Sequence, residues 1–229
     1  MTIEDQAGFD PRLAWASEGG TLLAPVCPVL VVVDVLRFTT AVEAAATNGA
    51  QVVPRRWPVR EGSGGAGPAL SSLSPVSLLG VPAGTRVELA SPNGATVSLA
   101  LAGAGAVVLA GCLRNASAVA AAARDLGRPV GVVPAGERRP DGSLRPAVED
   151  LIGAGAILHA LGGRPSPEAR AAVAAFLDAA PDLPAALSTC VSGRELAARD
   201  LAADVRLAAA HDVSQTVPRL SGGAFAQLS

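Results

Sequence analysis

The chain has 229 residues, half of them apolar and only 3% aromatic, with a formal net charge of −2. That length supports a full hydrophobic core, and the near-neutral balance argues against a general nucleic-acid or membrane-surface binder. All 18 basic residues are arginine, which excludes a Schiff-base lysine and a P-loop lysine.

Taken in chain order, residues 1–24 read as an N-terminal arm in which Phe9, Leu13 and Trp15 lie on the core and Gly19-Gly20 is a break. Val29 to Val33 is a continuous apolar run, the pattern of a strand buried on both faces. It ends in Asp34 and Arg37, followed by Thr39 and Thr40 and an Ala-rich helix from 41 to 48 stopped by Gly49. Gln51 to Pro54 is a second short strand. Residues 60–84, rich in Gly, Ser and Pro, read as a long loop or lid. Further strands are expected at 86–90, 106–110 and 130–133, each with a polar tip. Ser91-Pro92-Asn93-Gly94 opens a helix to about Ala102. Asn115 is a good N-cap for a helix to Leu126. Glu149 and Asp150 precede or begin a helix running to Leu161, and Ser166-Pro167-Glu168 starts another reaching about Ala180. Ser192-Gly193-Arg194-Glu195-Leu196 begins another helix. Four strand–tip–helix units in succession predict a single domain, residues 1–229, folded as a three-layer α/β/α sandwich with a largely parallel or mixed sheet.

Cys27, Cys112 and Cys190 are odd in number and far apart, the pattern of a reducing compartment rather than a disulfide framework. No charged segment precedes an apolar run at the start of the sequence, and no uninterrupted apolar run reaches ~18 residues. The expectation is a cytoplasmic protein with no membrane and no nucleic-acid partner.

In open α/β sheets ligands bind beyond the carboxyl ends of strands. The tips supply Asp34, Arg37, Asn93, Gly94, Arg114, Asn115, Glu137, Glu149 and Asp150. Converged, these would give carboxylates for a hard divalent ion, guanidinium forks for phosphate or carboxylate, and helix N-termini for anions. Those parts suit metal-assisted phosphoryl transfer. Each residue also has a plainer role. Asp34 can pair with Arg37 or cap a helix, Glu149-Asp150 can be solvated acids near a helix start, and Asn115 can be only a cap. Cys112 can be a small buried hydrophobe, Arg138 and Arg139 solvated turn residues, and His159 a packed histidine. His211-Asp212 is an ordinary surface pair. The cysteine, aspartyl and histidine phosphatase signatures are missing, as are GxGxxG and GxxxxGK[ST].

Five stretches carry a resemblance: VVVDVLRFTTAVEAAATNGA (31–50), SPNGATVSLAL (91–101), GCLRNASAVA (111–120), VVPAGERRPDGSLRPAVEDLIGAGAI (132–157) and DVRLAAAHDVSQTVPRL (204–220). In this order they resemble the 2-phosphosulfolactate phosphatase (ComB-like) family. The resemblance implies the family's α/β/α fold and a Mg²⁺-dependent hydrolysis in coenzyme M biosynthesis. Its substrate carries phosphate, carboxylate and sulfonate on three carbons. By motif match it implies site roles for Asp34, Arg37, Asn93, Gly94, Asn115, Glu137, Glu149 and Asp150, with Asp212 a weaker addition. With Arg114 as a second clamp, the expected metal ligands are Asp34, Glu137 and Asp150. The family's G-F-D-x-G-N-S-P segment survives here only as Leu73-Ser74-Pro75, and its Thr-Thr-Asn-Gly-Thr stands as Ser91-Pro92-Asn93-Gly94-Ala95. The rival expectation is a non-catalytic anion-binding or regulatory protein on the same fold. Helix faces rich in Ala and Leu are compatible with a homodimer.

Overall fold

The structure, a computed structural model, describes residues 3–57 and 71–228. Most of the expected 60–84 loop therefore lies outside the described residues. Strand β1 (Arg12–Leu13) is followed by helix α1 (Ala16–Leu23), β2 (Val29–Val33), α2 (Phe38–Thr47) and β3 (Gln51–Arg55). Next come α3 (Pro75–Leu78), β4 (Arg86–Ala90), α4 (Gly94–Leu101), β5 (Val107–Gly111), α5 (Ala116–Leu126) and β6 (Val130–Pro134). A two-stranded ribbon, β7 (Glu137–Arg138) and β8 (Leu144–Arg145), precedes a helical run. That run is α6 (Val148–Leu161), α7 (Pro167–Ala179), α8 (Leu183–Thr189), α9 (Val191–Ala197) and α10 (Ala202–Ala208). The hairpin β9 (Pro218–Ser221) and β10 (Ala224–Gln227) closes the order.

The main sheet has eight strands in the order β1-β6-β2-β5-β9-β10-β3-β4. β1, β6, β2 and β5 are mutually parallel, β3 and β4 form a second parallel pair, and the antiparallel β9–β10 hairpin joins the two blocks. This is the α/β architecture with a mostly parallel mixed sheet that the strand–tip–helix pattern predicts.

β2 lies inside the parallel block, and all five of its residues are buried. Its alternation serves two cores. Val29, Val31 and Val33 pack with the side chains of α5 and α6, whereas Leu30 and Val32 pack with those of α1, α2 and α4. A strand covered on both faces has no polar side to show, which is why it reads as an unbroken apolar run.

Three elements depart from the sequence expectations. Gly19-Gly20 does not break the arm; both residues lie within α1. A Cβ on Gly20 would come within 2.9 Å of Leu101 Cδ2, so the glycine lets α1 sit close on α4. The β9–β10 hairpin was not foreseen, although Gly222-Gly223 between short apolar segments is its signal. Both glycines have positive φ, +57° and +79°, as a tight two-residue hairpin turn demands. His159 is exposed rather than packed, with its ring 5.9 Å from that of Phe176.

By length and mean hydropathy (1.2), the run Pro167–Thr189 could cross a bilayer. It carries Glu168, Arg170, Asp178 and Asp182, is interrupted by Pro181 and Pro184, and docks Phe176 in the core shared with α6. Here it belongs to the helical layer. α6 and α7 meet through Gly155, where an added Cβ would fall 2.0 Å from the Ala172 carbonyl oxygen. Gly155→Ala should therefore lower the unfolding free energy by about 1–3 kcal/mol in urea denaturation. A change under about 0.5 kcal/mol would show that the two helices can part without cost.

Candidate active site

Asp34 stands where β2 ends, 4% exposed. Its Oδ1 accepts from Phe38 N at 3.1 Å, and its Oδ2 from Gly94 N at 2.8 Å and Ser91 Oγ at 3.5 Å. One carboxylate thus ties together the first turns of α2 and α4. It does not pair with Arg37, whose Nη1 donates to Asp204 Oδ2 at 2.8 Å. Gly94 is needed for this approach, because a Cβ there would lie 2.7 Å from Asp34 Oδ2 and 2.6 Å from Phe38 Cδ1.

The end of β4 is brought to the end of β2 by coiling of the sheet. β4 is five places from β2 in the strand order, about 24 Å across a flat sheet. The four-residue link Ser91–Gly94 reaches only ~14 Å. Single-residue pairings at Leu109↔Arg219 and Phe225↔Val52, on either side of the hairpin, let the sheet turn there.

Glu137 opens the β7–β8 ribbon, opposite Arg145. Asn93 Nδ2 donates to Glu137 Oε2 at 2.8 Å, while Asn93 Oδ1 accepts from Arg138 N at 2.9 Å. Asn93 therefore holds the ribbon against the start of α4. The Arg138 guanidinium pairs with the exposed Glu18, and Arg138 lies in β7 rather than in the turn.

Asp34, Arg37, Asn93 and Glu137 line one cleft of about 180 Å³. Leu73 and Ser91 also line it, as do Ser192 and Glu195 of α9 and Arg199 just beyond that helix. The volume corresponds to about six waters. It falls below the ~300–1,000 Å³ of drug-sized sites, so the cleft suits a ligand of a few carbons. The Leu73-Ser74-Pro75 fragment ends at this cleft: Leu73 lines it, and Ser74 Oγ donates to Asp204 Oδ1 at 2.5 Å.

Glu149 and Asp150 are not solvated acids; they are 2% and 3% exposed in the first turn of α6. Asp150 accepts from Val35 N at 2.8 Å through Oδ1 and from Gly136 N at 2.9 Å through Oδ2. Both oxygens thus clamp the ends of β2 and β6, and Asp150 does not line the cleft. Glu149 Oε2 has no hydrogen-bond partner among the described residues.

Three other predicted residues lie away from the cleft lining. Arg114 Nε donates to the fully buried Glu43 at 2.6 Å, where it neutralises an acid inside α2. Asn115 does not cap α5 with its side chain; it accepts from Cys112 N at 2.9 Å and donates to the Thr216 carbonyl at 2.9 Å. Asp212 accepts from Ser117 N and Ser117 Oγ at 2.8 and 2.6 Å, capping the start of α5 from across the fold. Sequence reasoning missed Asp204, Glu43 and Ser91. Asp204 and Glu43 are buried acids that hold arginines, and their partners are 167 and 71 residues away.

Burial raises the pKa of Asp34, against the lowering effect of its backbone donors. Burial and the charges of Asp34 and Glu149 raise Asp150 well above the usual carboxylate range. Glu137 is raised by burial and by Asp34. Burial likewise pushes the Cys27 thiol up to about 11, and the Cys112 and Cys190 thiols up to about 12. These cysteines are protonated and unreactive at neutral pH, in line with the reading of Cys112 as a small hydrophobe.

A family model for 2-phosphosulpholactate phosphatase matches residues 71–223. The chain belongs to this family. The matched span of this phosphatase family contains the cleft residues Ser91, Asn93, Glu137, Glu195 and Arg199, and Asp34 and Arg37 come before it. No curated protein matches the chain significantly.

Two outcomes follow from this geometry. Gly94→Ala should displace Asp34, while the same substitution at Gly80, which faces open space, should do no comparable harm. The readout is the unfolding free energy in urea, with a loss of about 1–3 kcal/mol expected for Gly94→Ala alone. The raised carboxyls also fix a pH trend. The folded state holds protons that the unfolded chain releases above about pH 4, so their contribution to stability falls as pH rises through their folded values. Asp34→Asn removes one such group and should flatten the decline in denaturation midpoint as pH rises above about 4; an unchanged slope would show that Asp34 titrates normally.

Proposed function

We propose that the chain is a Mg²⁺-dependent phosphatase that hydrolyses 2-phosphosulfolactate or a related small phosphorylated acid to the hydroxy acid and phosphate. Membership of a phosphatase family supports hydrolysis of a phosphate ester. The observation that carries the reading further is the convergence of Asp34 and Glu137 on a cleft of this size, with Arg37, paired to Asp204 of α10, on the same lining.

The donor set also favours a divalent ion. Three carboxylates of the lining (Asp34, Glu137, Glu195) meet two guanidiniums, and Asp204 already neutralises one of these. Asp34 has no basic side chain among its hydrogen-bond partners. A dianionic phosphate would be repelled from such a lining unless a cation sat at the carboxylates. No group of three or more His, Cys, Asp or Glu is arranged as a metal site among the described residues. Mg²⁺ takes one or two carboxylates and completes its shell with waters and substrate oxygens. Asp34 and Glu137, which line the cleft, are the holders in this reading, and Asp150, which does not line it, is a clamp between strand ends. Bound there, the ion would supply charge neutralisation for phosphoryl transfer.

The chain's own groups then position the reaction. Asp34, fixed by two backbone donors, orients the attacking group. Asn93 holds Glu137 in place, and Arg37, anchored through Nη1, keeps its other N–H groups for the phosphate. The N-terminus of α4 adds its dipole at the same point.

The test is phosphate release from 2-phosphosulfolactate, 2-phospholactate and phenyl phosphate, with Mg²⁺ and with chelator. Mg²⁺-dependent release is expected, reduced at least about 10²-fold in Asp34→Asn shown to be folded. Wild-type rates in that variant would refute the role of Asp34. No release by folded wild-type protein would leave the anion-binding alternative in possession of the cleft.

A further inference from the structure

We propose that Ser74 is a positioning residue for the cleft: by holding one oxygen of Asp204 it limits that acid to a single bond with Arg37, and so keeps the rest of the guanidinium free for the substrate phosphate. The proposal rests on the phosphate-ester reading above and adds to it a residue that touches no substrate.

Asp204 lies in the first turn of α10 and is buried. Its two oxygens are used differently. Oδ2 accepts from Arg37 Nη1 at 2.8 Å, whereas Oδ1 accepts from Ser74 Oγ at 2.5 Å and more weakly from Val76 N at 3.4 Å. Arg37 has no other side-chain hydrogen bond or ion pair among the described residues, and it lines the cleft. Ser74 is not on the lining. Its hydroxyl therefore reaches a ligand only through Asp204 and Arg37.

Other arginine pairs of the chain show what this hydroxyl prevents. The Glu88 carboxylate accepts from no donor but Arg55 among the described residues, and it takes that guanidinium with both oxygens, from Nε at 2.9 Å and from Nη2 at 2.5 Å. Glu43 gives Oε1 to Thr47 Oγ1 at 3.0 Å and holds Arg114 through Oε2 alone. Asp10 gives Oδ1 to Val130 N at 3.0 Å and holds Arg128 through Oδ2 alone. A second donor on one carboxylate oxygen thus goes with a single bond to arginine, and its lack with a closed fork. Ser74 puts Asp204 in the first class. Bidentate pairing is the favoured geometry of guanidinium and carboxylate. Val76 N lies beyond the usual ~3.2 Å limit and is too far to hold Oδ1 alone. Without the Ser74 hydroxyl, Asp204 turns Oδ1 onto a second N–H of Arg37. That N–H is then lost to the phosphate, and the charge facing the cleft is more fully neutralised.

The experiment reads the affinity for inorganic phosphate in Mg²⁺ buffer, by calorimetry, and kcat/KM for 2-phospholactate. It compares wild type, Ser74→Ala, Ser74→Thr, Arg37→Lys and the double variant Ser74→Ala/Arg37→Lys, each shown to be folded by its urea midpoint. Ser77→Ala is the control, because Ser77 Oγ donates to the Ser74 carbonyl at 2.7 Å in the same segment and does not bond Asp204. Ser74→Ala should bind phosphate about tenfold more weakly. Ser74→Thr keeps the hydroxyl and should match wild type, as should Ser77→Ala. Lysine has no fork for Asp204 to close on, so Ser74→Ala should cost nothing further in the Arg37→Lys background. Unchanged affinity in Ser74→Ala, an equal fall in Ser77→Ala or Ser74→Thr, or a full Ser74→Ala effect beside Lys at position 37 would overturn the proposal, as would wild-type protein that binds no phosphate. If wild type turns over no ester but the affinities follow this pattern, the hydrolase reading fails and the role of Ser74 stands.

Discussion

The carboxylate of Asp34 is the joint on which the rest of the structure turns. It sits at the end of a strand buried on both faces and accepts from the backbone of two different helices, at Phe38 and Gly94. A buried charge is costly unless it is hydrogen-bonded, and here the donors come from helix N-termini whose dipoles favour an anion. Meeting that requirement draws α4 onto the end of β2, coils the sheet, and calls for glycine at position 94. Asp150 repeats the device one layer below, joining the end of β2 to the turn after β6 through Val35 and Gly136. The strand ends are thus held together by backbone N–H groups donating to buried carboxylates.

The same use of charge explains which arginines are free. Glu43 and Asp204 are buried acids, and each binds one arginine that would otherwise be an anion clamp. Removing one partner of such a buried pair leaves the other uncompensated, a loss of the order of 3–5 kcal/mol. Arg114 is therefore bound into the packing of α2 against the strand-end turn after β5. Arg37 is shared between structure and cleft, since its side chain remains 16% exposed beside Asp34. Through Ser74, Asp204 also ties the segment before α3 to the same point.

Much of the fold was legible because its signals are local. The runs at 29–33, 106–110 and 130–133 read as two-sided strands and stand within a residue of β2, β5 and β6, and Ser166-Pro167 caps α7 as its residue types predict, with Ser166 Oγ accepting from Ala169 N at 3.1 Å. Of the nominated residues, Asp34, Arg37, Asn93 and Glu137 share the cleft, with Gly94 against Asp34. The strand-end rule points to such positions. Arg114, Asn115 and Asp212 also sit at polar tips, but their partners are set by long-range packing that no local pattern records. Asp204 was hidden for the same reason: in sequence it is an ordinary acid in the first turn of a short helix. Gly19-Gly20 misled because a glycine pair reads as a break, whereas close contact with Leu101 makes it part of a packed helix.

The β9–β10 hairpin has a bearing on the order of events during synthesis. It supplies the two strands between β5 and β3, yet it lies at residues 218–227, made after every other strand. Until it leaves the ribosome, the β1-β6-β2-β5 block and the β3–β4 pair each present an open edge, and unpaired edges template wrong associations. Nascent chains of this protein therefore pass through a stage in which most of the sequence exists but its sheet is in two halves, and that stage is where a chaperone would have most to shield.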